Sequence, residues 1–240
     1  GDTYVINGSK TFITNGGIAQ FLIVLCQTDE DASPPYRGQS TFIVPTDVDG
    51  FEAVEIEDKM GLKMTSTAEI YFNNVRIPAD ALIGEEGKGF YQALEFFDES
   101  RVEIAAQALG IAQGALDRTV AYIKERSQFG RKIAAFQVNQ HKIADMATRV
   151  ELARLMVYKA AWNYDKGRID PTLTSMAKMT AGQAAVYVAD EAIQMHGGYG
   201  YIMENEVERF YRDAKITEIY EGTREIQKNT ISSGIVGRFK

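Results

Sequence analysis

The spacing of apolar residues changes once along the chain, near residue 84. Before this point apolar residues alternate with polar ones or form short continuous runs, as in 21–26, and both patterns are typical of β-strands. After it, apolar residues return every three to five positions, which is the spacing of one face of an α-helix. The pattern therefore predicts strands in the first part of the chain and long helices in the rest.

Turn residues separate the predicted strands. The dipeptide Asn7-Gly8 predicts a tight turn between strands at 4–6 and 11–14. Similarly, Asn73-Asn74 predicts the end of a strand at 70–72. Short strands at this spacing predict a small antiparallel β barrel or sandwich.

Long amphipathic helices joined by short loops predict an up-and-down bundle in the second part. Pro171 marks the expected start of the third helix, because proline is favoured in a first helical turn. We expect an α+β protein with a β domain over residues 1–84 and a helical-bundle domain over residues 85–240. The apolar positions behind the helical prediction are Ile104, Ala108, Ile111, Ala115 and Val120, then Ile143, Ala147, Val150, Ala153, Val157 and Ala160, then Leu173, Ala177, Ala181, Ala184, Val188 and Ala192.

Composition restricts the class of protein. With 240 residues, 45% of them hydrophobic, the chain can bury a sizeable core. The 26 Lys and Arg against 33 Asp and Glu give a net charge of −7, which argues against a general nucleic-acid surface. The two histidines do not suggest a metal site, and no apolar run is long enough to predict a membrane span. The single cysteine, Cys26, fits a reducing compartment, either the cytoplasm or, in a eukaryote, the mitochondrial matrix.

The segment around Glu221 carries the first candidate chemistry. A charged helical segment ends at Tyr220-Glu221-Gly222-Thr223, and helical spacing resumes after it. Gly222 suits a tight turn, and Thr223 is a suitable N-cap for the following helix. A carboxylate on such a turn can project into a cleft. The pattern alone also fits a solvated glutamate at a helix break.

Two glycine-rich strings do not match nucleotide-binding fingerprints. The string 84–89 lacks the spacing of a phosphate-binding P-loop, and its charge is acidic. The string 197–200 follows a helical pattern, whereas a dinucleotide fingerprint follows a strand. We interpret the first as a turn into a helix and the second as a helix C-cap.

Four strings in the same order along the chain resemble motifs of the acyl-CoA dehydrogenases. Residues 11–16 resemble the flavin-contacting Trp-Ile-Thr-Asn strand, with Phe12 in place of tryptophan, and residues 125–130 resemble the Arg-x-x-Phe-Gly motif. Residues 194–200 resemble the Gln-x-x-Gly-Gly turn, and residues 220–223 the active-site turn. The resemblance covers essentially all 240 residues. It also implies that an N-terminal helical domain and a flavin-binding Thr-Glu-Pro-Gly loop precede the part represented here.

The resemblance implies FAD as the cofactor. Arg126 would reach the pyrophosphate of a flavin held mainly by a neighbouring subunit, and Gln137 would make a second such contact. A homo-oligomer, a tetramer in this family, would then be needed to complete the flavin site. The residues that the resemblance assigns to FAD are Phe12, Ile13, Thr14, Arg126, Phe129, Gln137, Gln194, Met195, His196, Gly197, Gly198, Thr223, Arg224 and Glu225.

The resemblance also implies an acyl-CoA cleft beside the turn. Its lining residues would be Phe97, Asp98, Glu99, Ser100, Arg101 and Gly222. From the sequence alone, residues 97–101 read as the capped start of a helix with an acidic first turn. One subgroup of the family takes its catalytic base from the position before the arginine, where this chain has Ser100. Glu99 is one residue away, which on a helix is a rotation of about 100°. We therefore expect Glu221 to be the base.

The implied reaction is desaturation of an acyl-CoA thioester to a trans-2-enoyl-CoA, with electrons passed to an electron-transferring flavoprotein. Two alternatives stay open at this point. One is an acyl-CoA oxidase that passes the electrons to oxygen. The other is a flavin-free interaction module built on the same scaffold. Neither the length nor the branching of the acyl group is indicated by the sequence.

Overall fold

A computed structural model describes residues 2–237 of the chain. The chain divides into two compact units, Gly1–Phe96 and Phe97–Lys240, and each is considered by itself. The change from strands to helix comes earlier, because the first long helix begins at Gly89 and continues past Phe96. The division into domains at residues 84 and 85 stays a prediction.

The first unit is built from antiparallel strands, as the sequence predicts. They are β1 (Thr3–Thr14), β2 (Phe21–Gln27), β3 (Gln39–Pro45), β4 (Phe51–Glu55) and β5 (Thr67–Pro78). One sheet has the order β1-β5-β4, and β2 pairs with β3 in a second sheet. Among residues 2–237 these sheets stay open and form no closed barrel.

Alternation of buried and exposed residues forms the core of this unit. In β5, Ala68, Ile70 and Phe72 are buried while the residues between them are more exposed. This period of two is what a strand requires when one face packs against apolar neighbours. The buried core residues are Ile6, Val24, Phe42, Val44, Ala68, Ile70, Phe72, Val75 and Ile77.

The turn predicted at Asn7-Gly8 and the strand end predicted at Asn73-Asn74 are wrong. Strand β1 continues through Asn7-Gly8 and β5 continues through Asn73-Asn74, and the register shifts between Ile6 and Gly8. The asparagines face each other across this irregularity, since Asn7 Oδ1 accepts a hydrogen bond from the Asn74 backbone N–H at 2.8 Å. Asn74 has a positive φ of 54°, which is typical of a β-bulge. The asparagines therefore form a bulge within a strand pair and do not end the strands.

Helices dominate the second unit. The helices are α1 (Gly89–Glu125), α2 (Gln137–Asp165), α3 (Pro171–His196), α4 (Gly198–Tyr201), α5 (Val207–Ala214) and α6 (Arg224–Val236). A short hairpin, β6 (Ser127–Gln128) and β7 (Arg131–Lys132), connects α1 with α2. Pro171 begins α3 as predicted, and the Asp170 side chain caps it by accepting from the Thr172 and Leu173 N–H groups.

The predicted helical bundle is confirmed. Helices α1, α2 and α3 share one core in which alanine is frequent, so their backbones can approach closely. The buried alanines are Ala105, Ala108, Ala112, Ala115, Ala153, Ala160, Ala177, Ala181, Ala184, Ala185, Ala189, Ala192 and Ala214. Within residues 2–237, none of the helices has an apolar stretch long enough to cross a membrane.

Candidate active site

The Glu221 turn has an unusual backbone. Glu221 has φ of 52° and Gly222 has φ of 92°, so two successive residues lie in the left-handed region. Glycine adopts such angles without steric cost, whereas a non-glycine residue there costs on the order of 1–3 kcal/mol. Thr223 then caps α6, because its Oγ1 accepts from the Ile226 N–H at 3.4 Å. The sequence predicted both the glycine turn and the threonine cap.

Side chains from two helices hold the carbonyl groups of this turn. Lys178 Nζ, from α3, donates to the Gly222 carbonyl at 2.7 Å. Gln227 Nε2, from α6, donates to the carbonyls of Glu221 at 3.1 Å and Gly222 at 2.9 Å. Both Lys178 and Gln227 are fully buried. The backbone of the turn is therefore fixed by donors that water does not replace.

The Glu221 carboxylate is half-buried and receives a hydrogen bond from α1. Ser100 Oγ donates to Glu221 Oε2 at 2.8 Å, and Ser100 itself is buried. The preceding residue, Tyr220, donates its phenolic hydroxyl to Gln107 Oε1 on the same helix. Burial, with a further contribution from Glu221, raises the pKa of Tyr220 to about 12. Tyr220 is therefore a neutral donor at physiological pH.

Buried charges surround the turn. The pKa of Lys178 is lowered to about 8, mainly by burial and also by the nearby Arg101, while Glu221 and Glu218 act in the opposite sense. Arg101 forms an ion pair with Asp98 at 2.5 Å, yet burial still raises the pKa of Asp98. Glu218 is buried and pairs with Lys215 at 2.7 Å and with Arg224 at 3.3 Å.

The segment 97–101 lies inside α1 and does not open it. The expected helix start at this segment is wrong, because α1 begins at Gly89. Its side chains then point in different directions: Ser100 contacts Glu221, whereas Glu99 Oε2 accepts from Tyr164 of α2 at 3.4 Å. The rotation between neighbouring helical positions separates these two residues.

A groove in the second unit brings two of the predicted cofactor segments together. Its volume is about 710 Å³. The lining residues are Tyr122, Arg126, Gln128, Phe129, Ile133, Phe136, Val138, Asn139, Gln194, Met195, His196, Gly197, Gly198, Tyr199 and Ile202. Residues that are distant in sequence, at 126–139 and at 194–202, thus form a single site.

The groove combines a cation with aromatic rings. Arg126 follows the end of α1, with its guanidinium 5.2 Å from the centre of the Tyr199 ring. Phe129 forms the tip of the β6-β7 hairpin with φ of 51°, next to Gly130 with φ of 76°, and the Phe129 ring is 91% exposed. A guanidinium suits phosphate oxygens, and an exposed ring suits a planar ligand.

The Gly197-Gly198 end of the groove offers bare backbone. Gly197 ends α3 with φ of 61°, and the space that side chains at Gly197 or Gly198 would take is open. Behind it, the buried His196 ring stacks on Tyr122 at 4.1 Å, and His196 Nδ1 hydrogen-bonds the Ala192 carbonyl at 2.7 Å. Burial lowers the pKa of His196, so its ring acts as a neutral support. A cation, exposed rings and open glycine backbone fit a dinucleotide such as FAD.

Other predicted cofactor residues lie outside this groove. Gln137 is exposed at the start of α2. Phe12 lies in the first unit at an irregularity near the end of β1, with φ of 59° and an exposed ring, and Thr14 ends that strand. Arg224 and Glu225 begin α6, where a backbone hydrogen bond and a second one from Thr223 lower the pKa of Glu225. Among residues 2–237, no group of three or more His, Cys, Asp or Glu could hold a metal ion.

Lys178 and Gln227 hold the turn, although neither is among the site residues predicted from the sequence. The sequence contained one indication of the role of Lys178. This lysine lies between Ala177 and Ala181, on the apolar face predicted for α3. A charge at such a position requires a buried partner. The pattern could not show that the partner is a carbonyl of the Glu221 turn.

Comparison with known proteins places this geometry in context. Residues 1–75 match the family model of the acyl-CoA dehydrogenase middle domain, and residues 87–236 match that of the C-terminal domain. The probable acyl-CoA dehydrogenase FadE25 of Mycobacterium tuberculosis is 48% identical over 98% of this chain and 60% of its own length.

Solved structures show the same similarity. Butyryl-CoA dehydrogenase from Megasphaera elsdenii has a TM-score of 0.94 and 45% identity, over 98% of this chain and 61% of that one. A chain from a study of the electron transferring flavoprotein of Acidaminococcus fermentans has a TM-score of 0.96 and 45% identity, over 99% of this chain and 62% of that one. The present chain thus spans about 60% of the length of the curated relatives it matches.

Proposed function

Since this chain belongs to the acyl-CoA dehydrogenase family, we propose that its protein oxidises an acyl-CoA thioester to a trans-2-enoyl-CoA with Glu221 as the general base. Proteins of this family are FAD-dependent, and bound FAD supplies the acceptor for the hydride that leaves the β carbon. The observation that most supports the proposal is the Glu221 carboxylate itself. This carboxylate belongs to a strained turn whose carbonyl groups accept hydrogen bonds from buried donors on two helices.

Glu221 would remove the proton α to the thioester carbonyl. Ser100 occupies one carboxylate oxygen and so limits rotation of the carboxylate, which favours a single orientation towards substrate. As the α proton leaves, negative charge develops on the thioester oxygen. The backbone N–H of Glu221 is the donor that we propose for this oxygen, in the manner of an oxyanion hole.

The acyl-CoA cleft would be lined by residues close to this turn. From α1 these are Phe97, Asp98, Ser100 and Arg101, and from the turn Gly222. We do not assign Glu99 to the cleft, because its carboxylate faces Tyr164.

We propose that the groove at Arg126 holds FAD. Arg126 would bind its pyrophosphate, Phe129 would lie against a planar part of the cofactor, and the backbone of Gly197 and Gly198 would approach it closely. Gln194, Met195 and His196 would complete this part of the site. The residues that would contact FAD outside the groove are Phe12, Ile13, Thr14, Gln137, Thr223, Arg224 and Glu225. In the proposed homo-oligomer, a tetramer, the groove serves the flavin of a neighbouring subunit.

Reduction of flavin by substrate is the direct test. The full-length protein is mixed anaerobically with a panel of straight, branched and cyclic acyl-CoA thioesters, and flavin absorbance is followed. We expect at least one thioester to bleach the flavin, and the fastest identifies the substrate class. A flavin-loaded protein that no thioester bleaches would contradict the proposal.

The electron acceptor is determined in the same experiment. We propose an electron-transferring flavoprotein as partner. The reduced protein should be reoxidised rapidly by such a flavoprotein and slowly by oxygen. Faster reoxidation by oxygen would instead identify an acyl-CoA oxidase.

A further inference from the structure

Lys178 is a buried cation that the proposed chemistry does not use. Its side chain is 1% exposed, in the middle of α3. Burying an ammonium group costs several kcal/mol unless hydrogen bonds and opposite charges compensate. Its Nζ donates a hydrogen bond to the carbonyl of Gly222, one residue after Glu221, at 2.7 Å.

That carbonyl belongs to the strained part of the turn. Glu221 keeps φ of 52° although it is not glycine. A residue in this region persists only when its surroundings restrain it. Gln227 restrains the same carbonyl as well as that of Glu221, but it comes from α6, which directly follows the turn in sequence. Lys178 provides the restraint from a separate helix, 44 positions away.

We infer that Lys178 is a positioning residue, which fixes the direction of the Glu221 side chain by holding the Gly222 carbonyl. The catalytic consequence rests on the proposed function of Glu221 as base. The structural part, that the order of the turn depends on Lys178, does not rest on it.

The charges around Lys178 add a dependence on pH. Glu221 in the turn and Glu218 just before it favour the ammonium form, while Arg101 of α1 opposes it. With burial, the balance gives a pKa of about 8. Above this pH the donor becomes neutral and its hydrogen bond weakens, because charge-assisted bonds are the stronger ones. We expect the turn to loosen on the alkaline side of neutrality.

The test compares Lys178→Met with Lys142→Met in the full-length flavoprotein. Lys142 is a matched control, since it is a partly buried lysine paired with Glu191 away from the turn. Hydrogen–deuterium exchange in the peptide 216–227 reports the order of the turn without requiring activity. Lys178→Met should speed exchange there by about 10- to 100-fold, the effect of losing one hydrogen bond to a charged group. Lys142→Met should leave it unchanged.

Kinetics separate positioning from a purely structural role. Lys178→Met should slow anaerobic bleaching of the flavin by about 10- to 100-fold, with a smaller change in the substrate concentration that gives half the maximal rate. In the wild type the bleaching rate constant should fall above about pH 8. Lys178→Gln keeps a donor but no titratable charge, so its rate should be intermediate and should lack this alkaline decline.

The possible outcomes are distinct. If Lys178→Met does not fold, Lys178→Gln and the wild-type pH profile carry the test. Turn exchange equal to that of the wild type in the folded variant would overturn the inference, and so would an unchanged alkaline decline in Lys178→Gln. Faster turn exchange in a protein whose wild type no thioester bleaches would support the role of Lys178 and contradict the proposed function instead.

Discussion

At the scale of single residues, the contact between Ser100 and Glu221 defines the proposed base. The two residues are 121 positions apart in sequence, and their side chains meet at 2.8 Å. A hydroxyl that donates to a carboxylate stabilises its charged form. Ser100 therefore belongs to the proposed catalytic site as a hydrogen-bond donor to the base.

Replacing Ser100 with alanine should weaken this support. We expect Ser100→Ala to slow flavin bleaching by roughly 10-fold, the effect of one hydrogen bond to a charged group. Thr119→Val is the control, as it removes another buried hydroxyl of α1, one that bonds only to the local helix backbone. A bleaching rate in Ser100→Ala equal to that of Thr119→Val would show that this contact does not act on the base.

Arg126 is the residue that we expect to retain FAD in the groove. Arg126→Ala should weaken FAD retention by roughly 10- to 100-fold, because a charged hydrogen bond contributes about 1.5–3 kcal/mol. The flavin-to-protein absorbance ratio after extensive dialysis measures this loss. Arg149→Ala is the control, since its guanidinium lies 4.0 Å from the Tyr187 ring, outside the groove. Equal flavin content in the two variants would show that Arg126 does not retain FAD and is only a charged residue near the end of a helix.

At the scale of elements, local signals predicted the helices and their ends. The spacing of apolar residues predicted the three long helices. Pro171 predicted the start of α3, and Thr223 predicted the N-cap of α6. These features depend on residues close in sequence, so a pattern can show them. The start of α1 at Gly89 agrees with the turn into a helix predicted at 84–89. The second predicted start, at 97–101, is wrong, because the acidic residues at 98–99 resembled a first turn but lie inside the helix.

Pairings over long distances in sequence could not be predicted. The bulge at Asn7 depends on Asn74, and the restraint of Gly222 depends on Lys178. A sequence pattern shows that Asn-Gly favours a turn, but the partner strand decides whether it becomes a bulge. Likewise, the pattern shows a lysine on an apolar helix face without showing which group compensates its burial.

The buried position of Lys178 makes the stability of the fold depend on pH. Its pKa is about 8 in the folded state and 10.5 without burial, so between these values the unfolded chain binds one more proton. The contribution of this group to the free energy of global unfolding therefore rises as pH increases from about 8 to about 10.5, and it is lost as pH falls back through this range. The local hydrogen bond to the Gly222 carbonyl weakens over the same range, so the turn can loosen while the fold as a whole becomes more stable. At about 1.4 kcal/mol per pKa unit, the full effect is on the order of 3 kcal/mol.

Denaturation by urea across this pH range measures the effect. The unfolding free energy of the wild type minus that of Lys178→Met should increase between pH 8 and pH 10, and Lys142→Met should show no such trend against the wild type. A flat difference for Lys178→Met would mean that Lys178 has an ordinary pKa in the folded protein.

At the scale of the whole molecule, the proposed FAD site joins subunits. If the groove at Arg126 serves the flavin of a neighbour, dissociation of the oligomer removes part of each site, so subunit association and FAD binding stabilise each other. On dilution, sedimentation followed at flavin and protein wavelengths should show FAD released together with the loss of the oligomer. A dissociated protein that keeps its full flavin content would show that each subunit holds its cofactor alone.

The identity of the base is the central claim, and Glu221→Gln tests it most directly. The amide keeps the size of the side chain and the backbone of the turn, so FAD and acyl-CoA should still bind, but it cannot accept the α proton. Anaerobic bleaching by the best substrate should slow by at least about 10²- to 10⁴-fold, the usual contribution of a general base. Glu99→Gln, which removes the same charge from a carboxylate that faces Tyr164, should still bleach. Bleaching that survives in Glu221→Gln and disappears in Glu99→Gln would place the base on α1 and contradict this account.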